Sequence, residues 1–432
     1  MLERRAQGFS LIEILIGLVI GLIGCVIIFQ VFAVNEGYKR SSTSGSDAQV
    51  AGTLALYALE REMKMGGFGI NDRVTIGCNM LGYTSTRSPT NYNLALVPVQ
   101  IHPGATASAS DAISINYGTA VEFAPGYGLT TANMAPGNNF RMENRGGVRF
   151  FDFLIVSQPN QANCSLVNAV NLPLGTPSGG GAAAAPLCGG NNSTDAVEIC
   201  SVSKTDADGV ARNYNPAGGL GGAPTYTVST GTTNTRFFDL GAEPAFNVFR
   251  IINNTLSLCN MRTANCADAT VAANWLPIME NVVFMKAEYG MDTNDDGIVD
   301  TFSSRVCRDT DSAYTTALND NFGDSWASAS DGNADGLVDT WAPGAPSSYD
   351  WSRIMAIRVA IVVRGMQYER EDVSPATIQL WPDATGNSGC VNSALLTAAP
   401  SSGPVYTVPD RKYRYRVFET IVPLRNSIWM PD

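Results

Sequence analysis

GFSLIEILIGLVIGLIGCVIIFQVFAV, residues 8–34, is an apolar run broken by a single acid, Glu13, and it follows the short basic leader MLERRAQ. From Ile14 to Val34 no residue is charged. About 21 residues at ~1.5 Å rise give a helix of roughly 31 Å, the thickness of a hydrocarbon core. An ionised carboxylate inside such a segment costs roughly 2.5–3.5 kcal/mol, so Glu13 is expected to have a partner or a task. A secretory signal peptide would place its small-residue cleavage site after the apolar core. Here the candidate site, Gly8, comes before it. Cleavage there removes residues 1–8 and leaves the helix on the mature chain as an anchor, with a new amine on Phe9 one turn from Glu13.

This arrangement resembles the class III signal of type IV pilins and pseudopilins, a short basic leader ending in Gly and followed by Phe-Ser-Leu-Ile-Glu. The resemblance implies that a prepilin peptidase cuts between Gly8 and Phe9 and methylates the Phe9 amine. It further implies that Glu13 pairs with the terminal amine of a neighbouring subunit during assembly, neutralising two charges that are both costly in lipid. Gly17 and Gly21, with Cys25 one step further, make a small-residue spacing that lets helix backbones approach closely. Major pilins often carry a proline in this segment; none lies between Phe9 and Val34.

Composition suits an exported body behind the anchor. The chain has 432 residues, enough to bury a large core, and its 42 glycines suggest many turns and loops. A net charge of −11 argues against nucleic-acid binding. Of nine cysteines, Cys25 lies in the anchor, and Cys78, Cys164, Cys188, Cys200, Cys259, Cys266, Cys307 and Cys390 lie beyond it. An even number outside the cytoplasm reads as disulfides, with Cys259 to Cys266 and Cys188 to Cys200 as local candidates. The spacing does not fix the remaining pairs.

After the anchor, residues 35–67 can continue the helix or interrupt it. Ser46-x-x-Gln49 reads as a capping box and favours a fresh start near Asp47. The stretch that follows places Leu56, Leu59 and Met63 on one helical face and Glu60 four residues before Lys64 on another, ending at Gly66 and Gly67. ALEREMKMGGFG is similar to the corresponding stretch of the minor pilin group named PilW, in which this half-helix packs on a sheet. Residues 68–432 read as β structure with long loops. AISINYG near Ile113 and FFDFLIVS near Phe151 are strand candidates. VFRIINNTLSLC places Phe249 and Ile251 on one side and Leu256 and Leu258 on the other of Asn253-Asn254, a hairpin signal. NVVFMKAEYG, RIMAIRVAIVVRG and RKYRYRVFETIVPLRN add three strands, the middle one apolar enough to be central and the last, with Arg414 and Arg416, wet on one face. That last segment also resembles the C-terminal end of PilW-type proteins. The expected fold class is α+β, a long N-terminal helix packed on an antiparallel sheet body.

DTNDDGIVDTF, beginning at Asp292, is echoed by DGNADGLVDTW, beginning at Asp331. Both follow the first nine positions of an EF-hand-like calcium loop. Calcium takes several hard oxygens, and acids or amides at alternate positions converge once Gly allows the sharp turn. The candidate ligands are Asp292, Asn294, Asp296 and Asp300 with the Ile298 carbonyl, and Asp331, Asn333, Asp335 and Asp339 with the Leu337 carbonyl. The twelfth positions, Ser303 and Ala342, lack the bidentate Glu, so further oxygens must come from Asp295, Asp309, Asp311, Asp350 or water. The expected role of calcium at loops 292–303 and 331–342 is structural, relieving repulsion among crowded carboxylates.

No catalytic motif is present, and His102, in VPVQIHPGAT, reads as a turn or surface histidine. The resemblance implies a minor pilin that helps prime type IV pilus assembly near the tip, with the major pilin, other minor pilins and a large tip adhesin as partners. Its body would lie in the periplasm on the inner membrane before assembly and at the cell surface afterwards. Two other readings stay open: a minor pseudopilin of type II secretion, and a surface adhesin displayed on a pilin anchor.

Overall fold

The structure, a computed structural model, describes residues 10–70, 76–106, 108–120, 127–128, 140–141, 147–158, 161, 163–170, 196–197, 202–216, 220, 226, 235–291, 301–303, 354–381 and 404–428. Its first element is one unbroken helix, Leu11–Met65. The fresh start expected near Asp47 does not occur. A break would strip intrahelical partners from up to four N–H and four carbonyl groups, whereas a capping side chain recovers only about 1 kcal/mol. The polar stretch is therefore held as helix, with Thr53 Oγ1 donating to the Gln49 carbonyl at 2.8 Å. Glu60 and Lys64 form the expected pair at 2.5 Å on its outer face.

The stripe that meets the body is Ala48, Ala55, Leu59 and Met63, all at most 2% exposed, with Gly52 also buried among them. Leu56, expected on this stripe, is only partly buried at its flank. Burial of Leu59 and Met63 contributes about 1.5–3 kcal/mol each. Gly66 ends the helix, and Gly67 follows at φ +82°, a left-handed conformation that favours glycine.

The helix lies on a four-stranded antiparallel sheet. The strand Ile354–Arg364 runs between Val282–Met291 and Tyr415–Pro423, with Thr301–Ser303 beyond the former. RIMAIRVAIVVRG is thus central, as its apolarity predicts. One face of it, Ile357, Val359, Ile361 and Val363, joins Met285, Ala287 and Tyr289 and the helix's Ala55, Leu59 and Met63 in the main core. The other face, with Ala360, Val362 and the neighbouring Phe284, is covered by Leu380, Trp381, Tyr406 and Val408, around the paired strands Thr377–Gln379 and Val405–Thr407. The face of the last strand that carries Arg416, expected to be wet, is wet only at its start, while on the opposite face Glu419, Ile421 and Pro423 are exposed. Arg416 is exposed beside Gly45 of the helix, and two residues on Phe418 turns to the same side and packs on the helix at Gly52.

A five-stranded antiparallel sheet has the order Leu276–Glu280, Thr255–Asn260, Ala245–Ile252, Ala112–Tyr117, Val99–His102. Its hairpin turns at Asn253 and Asn254, both at positive φ (49° and 60°), with Phe249 opposite Leu258 and Ile251 opposite Leu256. Both asparagines tolerate this left-handed geometry, which matches the twist of the strands. A six-stranded sheet has the order Asn91–Ala95, Asn79–Tyr83, Asn163–Asn168, Phe153–Ser157, Arg236–Gly241, Tyr127–Gly128. Its strand near Phe151 begins only at Phe153, because Phe151 itself turns at φ 68°. Asn79–Tyr83 pairs with Asn163–Asn168 in parallel, a departure from the antiparallel expectation. The disulfide Cys78–Cys164 joins these two strands where they meet, and Cys259–Cys266 closes a short loop as expected. Cys188, Cys200, Cys307 and Cys390 lie outside the described residues.

Candidate assembly site

Ser10 is extended (φ −68°, ψ 141°) and caps the helix, which places Glu13 at its third position. The Ser10 N–H donates to Glu13 Oε2 at 3.0 Å. This satisfies one of the donors left over at a helix start and sets a carboxylate at the positive end of the helix dipole. Glu13 is therefore oriented toward the N-terminal end of the chain before any partner arrives. Gly8 and Phe9 lie outside the described residues.

Beyond Glu13, the segment Leu11–Lys39 is long and apolar enough to cross a membrane, and none of it is buried against the body. Leu11, Phe29 and Phe32 are each more than two-thirds exposed. Such a surface is stable only in lipid or against other apolar helices. A side chain added at Gly17 or Gly21 would meet nothing within 4 Å, and Cys25 is a free, exposed thiol. The small-residue spacing thus faces open space, where a second helix could come close.

Two contacts fix the angle at which this free helix leaves the body. At Gly52 a Cβ would stand 2.0 Å from the Phe418 ring, so only glycine lets helix and strand come this near. At the far end Asn426 Nδ2 donates to the carbonyls of Lys64, Met65 and Gly66 at 3.3, 3.3 and 3.1 Å. These are carbonyls for which the helix has no further N–H. The C-terminal segment therefore caps the first element of the fold. Sequence reading missed both residues. An isolated glycine in the helical pattern VAGTLAL was the available sign of close approach; nothing local marks Asn426.

Among the described residues of the body, several buried ionisable groups are paired with one another. Lys286 Nζ lies 2.6 Å from Asp111 Oδ1, both buried, and Arg358 pairs with Glu288. Arg358 also lies over the Trp381 ring at 4.3 Å. His102 corrects its expectation: it ends a strand, is 5% exposed, and its Nε2 lies 2.6 Å from Ser114 Oγ. Four successive buried positions, Val99 to His102, show why: the strand is covered on both faces.

The calcium candidates Asp292, Asn294, Asp296, Ile298, Asp300, Asp331, Asn333, Asp335, Leu337 and Asp339 lie outside the described residues. The strands flanking the first loop do pair, Met291 opposite Thr301, so the ends of that loop are held together.

Residues 225–426 match the family model described as type IV pilus-assembly protein W, and residues 4–29 match that of the prokaryotic N-terminal methylation motif. No curated protein and no solved structure matches the chain. The methylation motif covers the uncovered start of the helix, and the other match ends at Asn426, the residue that caps its far end. By these two signatures, at opposite ends of one helix-and-sheet unit, the chain is similar to the type IV pilus-assembly protein W family over residues 225–426 and carries the N-terminal methylation motif over residues 4–29.

Proposed function

We propose that this chain is a structural subunit that helps prime type IV pilus assembly and stays near the pilus tip, acting through subunit contacts and not through catalysis. The observation that carries this reading is the helix itself: an uncovered apolar half bearing one acid, rigidly continuous with a half gripped by a large body. Prepilin peptidase cleavage after Gly8 would create an amine on Phe9, adjacent to the Ser10 N–H that Glu13 holds. In a fibre the Glu13 carboxylate then takes a neighbouring subunit's amine, and the cost of two buried charges is offset only on assembly. The partners are the peptidase, the major pilin, other minor pilins and a large tip adhesin. Deleting the gene and imaging pili tests the proposal: few or no pili with normal protein secretion is expected, and normal piliation with failed secretion would place the chain in a secretion machine instead. Glu13→Val should leave processing and membrane insertion intact and cut incorporation into pili about tenfold or more. Normal piliation in that variant removes the role given to the acid.

We further propose that calcium occupies the loops at 292–303 and 331–342 as a structural ion. Binding to the native state alone stabilises by mass action, about 2.7 kcal/mol at a hundredfold excess over Kd. Thermal unfolding in millimolar calcium and in chelator should differ by several degrees, and Asp296→Ala with Asp335→Ala should abolish the difference. Identical transitions in calcium and chelator would refute the ion.

A further inference from the structure

The long helix and the strand Tyr415–Pro423 run side by side in the same direction. Gly45 lies beside Arg416, Gly52 beside Phe418, and Asn426 reaches the last helical carbonyls. The end of the sheet where Arg364 pairs with Tyr415 consequently faces the N-terminal side of the helix, the side of the apolar span. At that end the turns 365–374 and 409–414 are laced together. Gly365 N–H donates to the Arg414 carbonyl at 2.6 Å, Glu369 N–H to Lys412 at 2.8 Å and Val373 N–H to Arg411 at 2.9 Å.

These turns and the strand ends beside them carry six cations, Arg364, Arg370, Arg411, Lys412, Arg414 and Arg416, against four acids, Glu369, Glu371, Asp372 and Asp410, in a chain of net charge −11. Arg411 and Arg414 are paired with Asp372 and Glu369 at 3.0 Å, so Arg364, Arg370, Lys412 and Arg416 are the cations outside those two pairs. Aromatic rings are interleaved with the cations. Arg364 lies 4.6 Å from the Tyr413 ring centre, Lys412 5.4 Å from that of Tyr368, and the two tyrosines meet edge to face at 5.4 Å. Met366 and Tyr368 are 61% and 57% exposed. From Val34, the end of the uncharged run, to Gly45 is a rise of about 16 Å along the helix. The headgroup layer occupies roughly 5–8 Å of that, and the turns lie on the membrane side of the Gly45 level. Long Arg and Lys side chains and a Debye length of about 8 Å span the remainder.

We propose that this basic, aromatic end of the body docks on the anionic phospholipid headgroups of the bilayer that holds the anchor, setting the body's orientation before assembly. Charge complementarity selects the lipid, and the anchor holds the patch at high local concentration over it. Each cation near an anionic surface favours docking about fivefold. Exposed Tyr and Met beside the cations suit the interfacial layer, where amphipathic rings gather. The proposal rests on the helix spanning a bilayer, which flotation of the full chain with vesicles tests separately.

The test is hydrogen exchange on the full chain reconstituted in vesicles of phosphatidylcholine alone and of phosphatidylcholine mixed equally with phosphatidylglycerol. Amides of 365–374 and 409–414 should exchange about fivefold or more slowly in the mixed vesicles, and about 1 M salt should remove the difference. Lys412→Glu combined with Arg416→Glu should remove it too, while protection of the strand Ile354–Arg364 stays unchanged and shows that the variant is folded. Equal exchange in both lipids overturns the proposal. Protection that follows protein density and ignores anionic lipid overturns it as well, in favour of contact between copies of the chain.

Discussion

Asp239 is the residue whose chemistry the fold changes most clearly. Burial, reinforced by the charge of the neighbouring Asp152, pushes its carboxyl from the ordinary 3.8 to about 6, and burial raises Asp152 as well. The two side chains share a hydrogen bond, while Asp239 Oδ1 also accepts from the Gly241 N–H at 2.7 Å and Asp152 Oδ2 from the Arg149 N–H at 2.6 Å. Between roughly pH 4 and 6 the folded chain holds a proton that the unfolded chain has released, so stability falls as pH rises through that window. The full difference corresponds to about 3 kcal/mol, and partial exposure of Asp239 brings the expectation to about 2. Asp239→Asn keeps a donor for Asp152 and an acceptor for Gly241, mimicking the protonated acid. It should stabilise the chain by about 2 kcal/mol near pH 8 and hardly at all near pH 4, as measured by denaturant unfolding at each pH. A gain independent of pH would refute the shared proton. None of this is visible in the sequence, because the two acids are far apart in it and meet only through strand pairing. Glu13 is the opposite case: a lone acid in an apolar run is conspicuous by its surroundings alone.

Elements were legible wherever the pattern was local. The Asn253-Asn254 hairpin and the strand Ile354–Arg364 follow from side-chain period and turn chemistry, and the helix end follows from Gly66 and Gly67. The continuity of the helix was not legible. A capping box at Ser46 describes what a break could use, whereas packing from Ala48 onward decides whether there is one. Gly52 shows the same conflict between local and tertiary preference. Alanine is favoured over glycine inside a helix by about 1 kcal/mol, but here its methyl would overlap the Phe418 ring, and overpacking costs roughly 1–3 kcal/mol. Gly52→Ala should therefore destabilise the detergent-solubilised chain by about 1–2 kcal/mol in thermal unfolding. The change should turn neutral or stabilising when combined with Phe418→Ala, which makes room for the methyl. A stabilising Gly52→Ala on its own would mean that helix and strand are not pressed together there.

At the scale of the molecule, the match to the assembly family begins at residue 225, yet strands from before and after that point share sheets. A buried ionic cluster ties the earlier part to the later. Asp206 accepts from Arg212 at 2.8 Å, from Arg262 at 3.2 Å and from the Tyr214 hydroxyl, and Lys204 lies 3.7 Å away. Lys204 and Arg262 also pair with Glu243, and both stand over the Phe153 ring. Lys204, Asp206 and Arg212 come from a hairpin before residue 225, while Glu243 and Arg262 come from the matched part; the Arg262 turn is closed by Cys259–Cys266. In the sequence KTDADGVARN reads only as a turn, since nothing in it marks which acid the fold will enclose. The Asp206 side chain is 2% exposed and that of Asp208, which also pairs with Arg212, is 51% exposed. Removing Asp206 strands three converging cations with too little counter-charge, a loss of about 3–5 kcal/mol, whereas removing Asp208 costs less than about 1 kcal/mol. If the cluster couples the two parts of the body, Asp206→Ala should also split one calorimetric unfolding transition into two, the hairpin and the six-stranded sheet melting first. Asp208→Ala should leave a single transition near its original temperature. A single transition in both variants, displaced equally, would show that the shared strands alone hold the body together and that the ions contribute only locally.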